Sequence, residues 1–135
     1  VKPPCKKAII DTSIILYFAE HKIDFLELFL QDEICLVIIT THVLNELRYQ
    51  AAAGKGARAR KAKLALELLR EKILAHPTLF ALKHYSVSKP TDDLLIEVAL
   101  AGHYTLLTAD KVLRNKAMSK GVNVLFLLKS RRKLI

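Results

Sequence analysis

TDDLLIEVALAGHYTLLTAD, residues 91–110, reads as one compact helix–strand unit with acids at both ends. Pro90 and Thr91 start the helix and Asp92 and Asp93 fall in its first turn. Leu95, Val98, Ala99 and Gly102 then recur at helical spacing, with Gly102 closing the helix. Residues 104–108 follow as a short apolar strand, and Asp110 stands just past its end. An open parallel sheet presents its functional groups at that place, outside the carboxyl ends of its strands. Asp93 and Asp110, about 17 residues apart, are therefore expected to converge.

The flanking sequence extends the same alternation. Ala8, Ile9 and Ile10 read as a buried strand that turns through Asp11-Thr12-Ser13 into an apolar helix over residues 14–19. A second helix over residues 23–30 sets Phe25, Leu26, Phe29 and Leu30 on one face. Residues 34–39 are all apolar and rich in β-branched types, too short a run for a helix, which predicts a central parallel strand. Thr40 and Thr41 are N-cap candidates for a helix carrying Val43, Leu44, Leu47 and Ala51, with Glu46 in its second turn. Residues 51–63, AAAGKGARARKAK, are strongly basic and broken by Gly54 and Gly56, predicting a mobile turn between two helices. The second of these helices runs over residues 58–75 and ends before Pro77, and residues 79–87 have room for one short strand. After the opening unit come a helix near 112–119, Gly121 as its stop, a strand over 122–128 and a basic tail, 129–135. Strands alternating with helices long enough to cross over predict one α/β domain over residues 1–135, a parallel sheet between helical layers.

A chain of 135 residues can bury a core without staples, and its 52% hydrophobic and 26% charged residues exclude a disordered protein. No run approaches the roughly 18–20 apolar residues that cross a bilayer, so no membrane-spanning segment is expected. VKPPCKKAII reaches Asp11 after three apolar residues, too few for the hydrophobic part of a secretory signal, and a cytoplasmic protein is expected. Cys5 and Cys35 lie far apart with no second pair to make a zinc site, which predicts thiols in a reducing compartment rather than a disulfide. A net charge of +9 and a pI near 9.7 point to a polyanionic partner. Nucleic acid ranks ahead of an anionic membrane surface, because no amphipathic anchor segment is evident.

Four acids share a topological feature. Asp11 follows the first strand, Glu46 lies in the helix after the second, Asp93 begins the helix of the 91–110 unit, and Asp110 follows that unit's strand. If those strands are neighbours, the acids form one pocket. Taken singly, each aspartate reads first as a helix cap, and Glu46 as part of a solvated helix face. Gathered together without cations, such carboxylates repel one another and raise their own pKa values, so a protein that assembles three or four does so to hold metal. Hard oxygen ligands select Mg²⁺ or Mn²⁺ over zinc. At a phosphodiester, such ions lower the pKa of a bound water and stabilise developing charge, so no protein nucleophile is needed. None is evident: no Ser-His-Asp or Cys-His arrangement stands out, and Gly54-Lys55-Gly56 lacks the spacing of a phosphate-binding loop.

With these residues in view, the chain resembles a PIN domain along nearly its whole length. AIIDTSIIL resembles that family's opening strand and Asp-Thr-Ser/Asn turn, and VLNELRY its Glu-bearing helix. DDLLIEVAL resembles its Asp-x-x-Ile-x-x-x-Ala helix, and LLTADKVLRNKA with GVNVLFL its Thr-x-Asp strand end and final strand. The resemblance implies a three-layer α/β/α sandwich and a Mg²⁺- or Mn²⁺-dependent endoribonuclease acting on single-stranded RNA, either in RNA processing or as a toxin. It places Asp11, Glu46, Asp93 and Asp110 on the metal-binding, catalytic positions, and Thr12, Ser13 and Thr108 on supporting hydroxyl positions. The Ile96 spacing selects Asp93, while Asp92, about 100° round the helix, could line the same mouth as a further ligand. The long basic insertion after Glu46 and the doubled Asp favour RNA processing over a VapC-type toxin.

Between Lys55 and Lys72, seven Lys or Arg residues stand against Glu67 and Glu71, giving +5 of the chain's +9. Lys55, Arg58, Arg60, Lys61 and Lys63 are the candidate RNA contacts, with Lys129, Arg131, Arg132 and Lys133 as a second cluster. Tyr49 or Tyr85 is a candidate for stacking on unpaired bases, or belongs to the core edge. Other partners in keeping with the family are an antitoxin or a ribosome-assembly protein. Ile15, Phe18 and Phe25 would build either a homodimer face or the core. A catalytically inactive PIN-like binding or assembly module is the alternative function. A phosphoacceptor receiver-like domain needs an acidic pair after the first strand, where this chain has Asp11 alone.

Overall fold

Short β-branched and leucine-rich runs form the strands, and the helices between them carry one apolar face each. The computed structural model describes residues 5–86, 88–130 and 133–135. In chain order the elements are β1 (Lys6–Ile10), α1 (Thr12–His21), α2 (Phe25–Gln31), β2 (Ile34–Thr40), α3 (Thr41–Ala52) and α4 (Ala57–Ala75). They continue with β3 (Phe80–Lys83), α5 (Thr91–Gly102), β4 (Thr105–Thr108), α6 (Lys111–Ser119), β5 (Val124–Leu128) and β6 (Lys133–Leu134). The sheet order is β3-β2-β1-β4-β5-β6, parallel through β5 and antiparallel at β6.

Right-handed crossovers assign the layers. The chain moves outward from β1 to β3 and then reverses past β1 to β4 and β5. The helices α1–α4 therefore cover one face, and α5 and α6 the other, giving the three-layer α/β/α sandwich. The reversal falls between β1 and β4, and such a switch point opens a crevice at the carboxyl ends of the two strands. Pairing of Ile10 with Leu107 sets Asp11 beside Thr108 at its mouth, where the Asp11 N–H donates to the Leu107 carbonyl at 3.0 Å.

Central strands covered on both faces need apolar side chains on both, and Ala8, Ile9, Val37, Ile38, Leu106 and Leu107 are all fully buried. Under the first helical layer, Phe18 stacks on Phe25 at 5.2 Å and meets Phe29 edge-on. Ile15, Phe18 and Phe25 are each no more than 2% exposed, so they belong to the core and offer no dimer face.

Several sequence expectations need correction. The turn after α3 spans only residues 53–56, because Ala, Arg, Lys, Leu and Glu from residue 57 onward are strong helix formers. Gly54 and Gly56, at φ 158° and 98°, supply the reversal. Gly102 does not supply the left-handed residue that ends α5; His103 does, at φ 55°. Gly102 is needed for another reason, since a Cβ there would lie 2.3 Å from the Tyr104 ring. Cys5 and Cys35 are joined in a disulfide. Parallel pairing that starts at Lys6 and Ile34 brings their Cα atoms to 5.6 Å, inside the range a disulfide bridges, although 30 residues separate them in sequence. The second basic cluster contributes β6, with Ile135 and Phe126 exchanging backbone hydrogen bonds. Arg131 and Arg132 of that cluster, and Val87 of the 79–87 stretch, lie outside the described residues. Among the described residues no helix is long and apolar enough to cross a membrane.

Candidate active site

Asp11 sits at the start of α1 in extended conformation, where a carboxylate would be expected to cap the helix. It makes no capping hydrogen bond. Ser13 Oγ donates to Asp11 Oδ2 at 2.6 Å, and Thr108 Oγ1 donates to the same oxygen at 2.9 Å. Each hydroxyl is itself fixed by a backbone donor: the Ala109 N–H reaches Ser13 Oγ at 3.1 Å, and the Asp110 N–H reaches Thr108 Oγ1 at 3.0 Å. Two relays from the end of β4 thus converge on one carboxylate oxygen, and neither uses Oδ1. Asp11 is only 5% exposed. Burial raises its pKa, the Ser13 and Thr108 hydroxyls oppose that rise, and the negative charge of Asp92 adds to it.

The other acids arrive from three helices. Glu46, half-buried in the second turn of α3, accepts from Thr12 Oγ1 at 2.6 Å, which ties it to the residue after Asp11. Asp110 does cap its helix: Val112 and Leu113 N–H donate to its Oδ1 at 2.8 and 3.2 Å. Both bonds use one oxygen, so capping leaves the second unoccupied. The capping and ligating readings of Asp110 are therefore compatible, whereas for Asp11 the capping reading fails.

At the start of α5, Asp92 feels the charges of Asp110 and Glu46, while Asp93 pairs with Lys116. Burial raises the pKa of Asp92 first, and the negative charges of Asp110, Glu46 and Asp93 raise it further against a smaller opposing effect of Lys116. Asp93 turns the other way. Lys116 Nζ donates to its Oδ1 at 2.5 Å and holds its pKa down, with Lys120 and Lys89 contributing beyond. The helix explains the choice. Asp92 lies on the face of the buried Leu95 and Ala99, whereas Asp93 stands at its edge, with the buried Ile96 on one side and the exposed Glu97 and Leu100 on the other. The available sequence signal was Ala99, which stands seven residues after Asp92 with the apolar Leu95 at three, whereas the residue seven after Asp93 is Leu100.

Among the described residues no three His, Cys, Asp or Glu side chains stand close enough, as placed, to hold a metal ion together. The donor set fits a hydrated hard cation nonetheless. Mg²⁺ is commonly bound through one or two carboxylates with water completing its octahedron. Asp11, Glu46, Asp92 and Asp110 offer oxygen only, and the mutual repulsion felt at Asp92 marks negative charge that Lys116 only partly balances.

The basic residues divide. Lys61 pairs with Glu20 across the α1–α4 contact at 2.7 Å, and so ties two helices together. Arg60 and Lys63 are exposed along α4, and Lys55 and Arg58 line a cleft at the α3–α4 turn with Tyr49. Tyr85 packs at the core edge.

No curated protein matches the chain at a significant level. Among solved structures, a domain of a functionally unknown protein from Methanocaldococcus jannaschii DSM 2661 superposes with a TM-score of 0.67 at 26% identity, covering 91% of each chain. The PIN domain endonuclease Utp24 superposes with a TM-score of 0.69 at 21% identity, covering 95% of this chain and 88% of that one. A family model described as a PIN like domain matches residues 8–131, which takes in the end of β1, every element from α1 to β5 and all the acids above. The chain belongs to the PIN-like domain family.

Proposed function

We propose that this protein is a metal-dependent endoribonuclease that hydrolyses phosphodiester bonds of single-stranded RNA. The observation that carries the reading is the Asp11 carboxylate, buried at the β1–β4 switch point and clamped through one oxygen by Ser13 and Thr108. No Ser-His-Asp or Cys-His nucleophile is needed, and a buried acid at a strand end that forms no cap suits the role of a ligand.

Asp11, Glu46, Asp110 and Asp92 would hold Mg²⁺ or Mn²⁺, with Asp92 taking the role first assigned to Asp93. A bound divalent ion supplies charge stabilisation at the phosphoryl oxygens and a lowered pKa for its water. Thr12 orients Glu46, and the Ser13–Thr108 relay orients Asp11, so two of the carboxylates are held in fixed orientations beside the switch point. Water adds to phosphorus, the strand's bridging oxygen departs with a proton, and the products are a phosphate monoester and a free hydroxyl. Arg60, Lys63, Lys55 and Arg58 would hold the polyanion while Lys61 stays with Glu20. The doubled Asp and the basic α4 favour RNA processing over a toxin role, with a ribosome-assembly protein as the matching kind of partner and an antitoxin as the partner of the other role.

The test is cleavage of labelled single-stranded RNA by wild type and Asp11→Asn, with Mn²⁺ or with EDTA. Cutting that needs Mn²⁺ and is lost in the variant, while RNA binding persists, is the expected result. A wild type that binds a varied RNA set and cuts none of it points to the non-catalytic assembly module instead.

A further inference from the structure

We infer that the cleft between the end of α3 and the start of α4 is a base-binding subsite for one unpaired nucleotide of the RNA strand, with Tyr49 as its stacking platform and Gln50 as its reader. This rests on the RNA reading above and adds a specificity-determining site to it. The cleft has a volume of about 410 Å³ and is lined by Tyr49, Gln50, Gly54, Lys55 and Arg58 among others. No acid lines it.

Three independent features point to a nucleotide. Tyr49 is 75% exposed and forms part of the cleft wall, so its ring is open to a ligand there. Base–aromatic stacking tolerates any base, because each has a π-face. Gln50 lines the cleft, and among the described residues its buried carbonyl oxygen has no hydrogen-bond partner. A buried unpaired acceptor is costly, and an amide with donor and acceptor side by side suits the edge of a base. Lys55 and Arg58 add two cations for the accompanying phosphate.

Position links the cleft to the acids. Glu46, Tyr49, Gln50 and Ala53 follow one another at i+3, i+4 and i+7, so they lie along one face of α3. Tyr49 and Gln50 stand about 4.5 and 6 Å from Glu46 along the helix axis, at a rise of about 1.5 Å per residue. A strand whose phosphate reaches the acidic group would therefore lay a neighbouring base at Tyr49. Gly54 lies on the cleft's rim, with nothing near the place where its Cβ would project.

The experiment measures binding of ten-nucleotide single-stranded RNAs, each carrying one 2-aminopurine, by anisotropy and fluorescence quenching in EDTA across a salt series. Tyr49→Ala is expected to weaken binding about 5- to 150-fold, the range one stacked base contributes, with loss of 2-aminopurine quenching and an unchanged salt slope. Tyr49→Phe should retain both signals. Gln50→Leu should alter the ranking of oligonucleotides that differ in the base at the quenched position. Lys55→Ala and Arg58→Ala should each lower the salt slope by about 0.7. Wild-type binding and quenching by Tyr49→Ala would overturn the subsite, as would a wild type that binds no RNA. Because EDTA removes any metal, a protein that binds through Tyr49 yet never cuts would sink the nuclease reading alone. A protein that cuts RNA with Tyr49-independent binding would sink the subsite alone.

Discussion

Thr108→Val tests the Asp11 clamp with almost no change of shape. Thr108 is fully buried, donates to Asp11 Oδ2 at 2.9 Å and accepts the Asp110 N–H at 3.0 Å. Valine keeps the volume and removes both bonds. A hydrogen bond to a charged group contributes about 1.5–3 kcal/mol, and stranding a buried N–H costs about 1 kcal/mol more, so a loss of about 2.5–4 kcal/mol is expected at neutral pH. For a chain of this length each kcal/mol lowers the melting temperature by about 3–4 °C, which predicts a drop of about 8–15 °C. The pH dependence separates the two parts. Burial holds the folded-state pKa of Asp11 above its ordinary value of 3.8, so the folded state binds more protons and stability contributed through Asp11 falls as pH rises through that pKa. Losing the Thr108 hydroxyl removes a group that lowers the pKa and pushes it further up. The deficit of the variant relative to wild type should therefore be full above the folded pKa and shrink toward pH 3.8, where a protonated Asp11 needs the donor less. Thermal melts in EDTA over that range measure it, with Thr108→Ser as the control that keeps the hydroxyl. A deficit of equal size at both ends of the range would refute the clamp and leave Thr108 a packing residue.

Two further outcomes follow from the same geometry. Asp92→Asn should abolish Mn²⁺-dependent cleavage while Asp93→Asn leaves most of it, and the reverse order in a single-turnover assay would restore Asp93 to the site. Reducing the Cys5–Cys35 disulfide, which closes a loop of 30 residues, should cost about 3.5 kcal/mol on the chain-entropy scale, visible as a lower melting temperature with reductant. The bridge joins the starts of β1 and β2, at the edge opposite the acids, so cleavage well below the melting temperature should be unaffected by it.

The parts of this fold that were legible in the sequence are those fixed by local periodicity and by strand-end chemistry. Residues 34–39 could be nothing but a covered strand, and Asp11-Thr12-Ser13 placed a turn and an acid at once. What was hidden depends on rotation or on pairing between distant segments. The disulfide is set by the register of β1 against β2, and no pattern within either strand announces it. The two-residue β6 exists only because β5 offers it an edge. The choice between Asp92 and Asp93 is the instructive case. A motif spacing counted forward from Asp93 to Ile96 pointed to the outer acid, which pairs with Lys116, while Asp92 shares its face with the buried Leu95 and Ala99. The doubled acid then has a physical division of labour. The inner carboxylate adds negative charge to the group and carries a raised pKa for it, while the outer one holds Lys116 where its charge still reaches Asp92. A single aspartate at either position would supply one of these effects and forfeit the other.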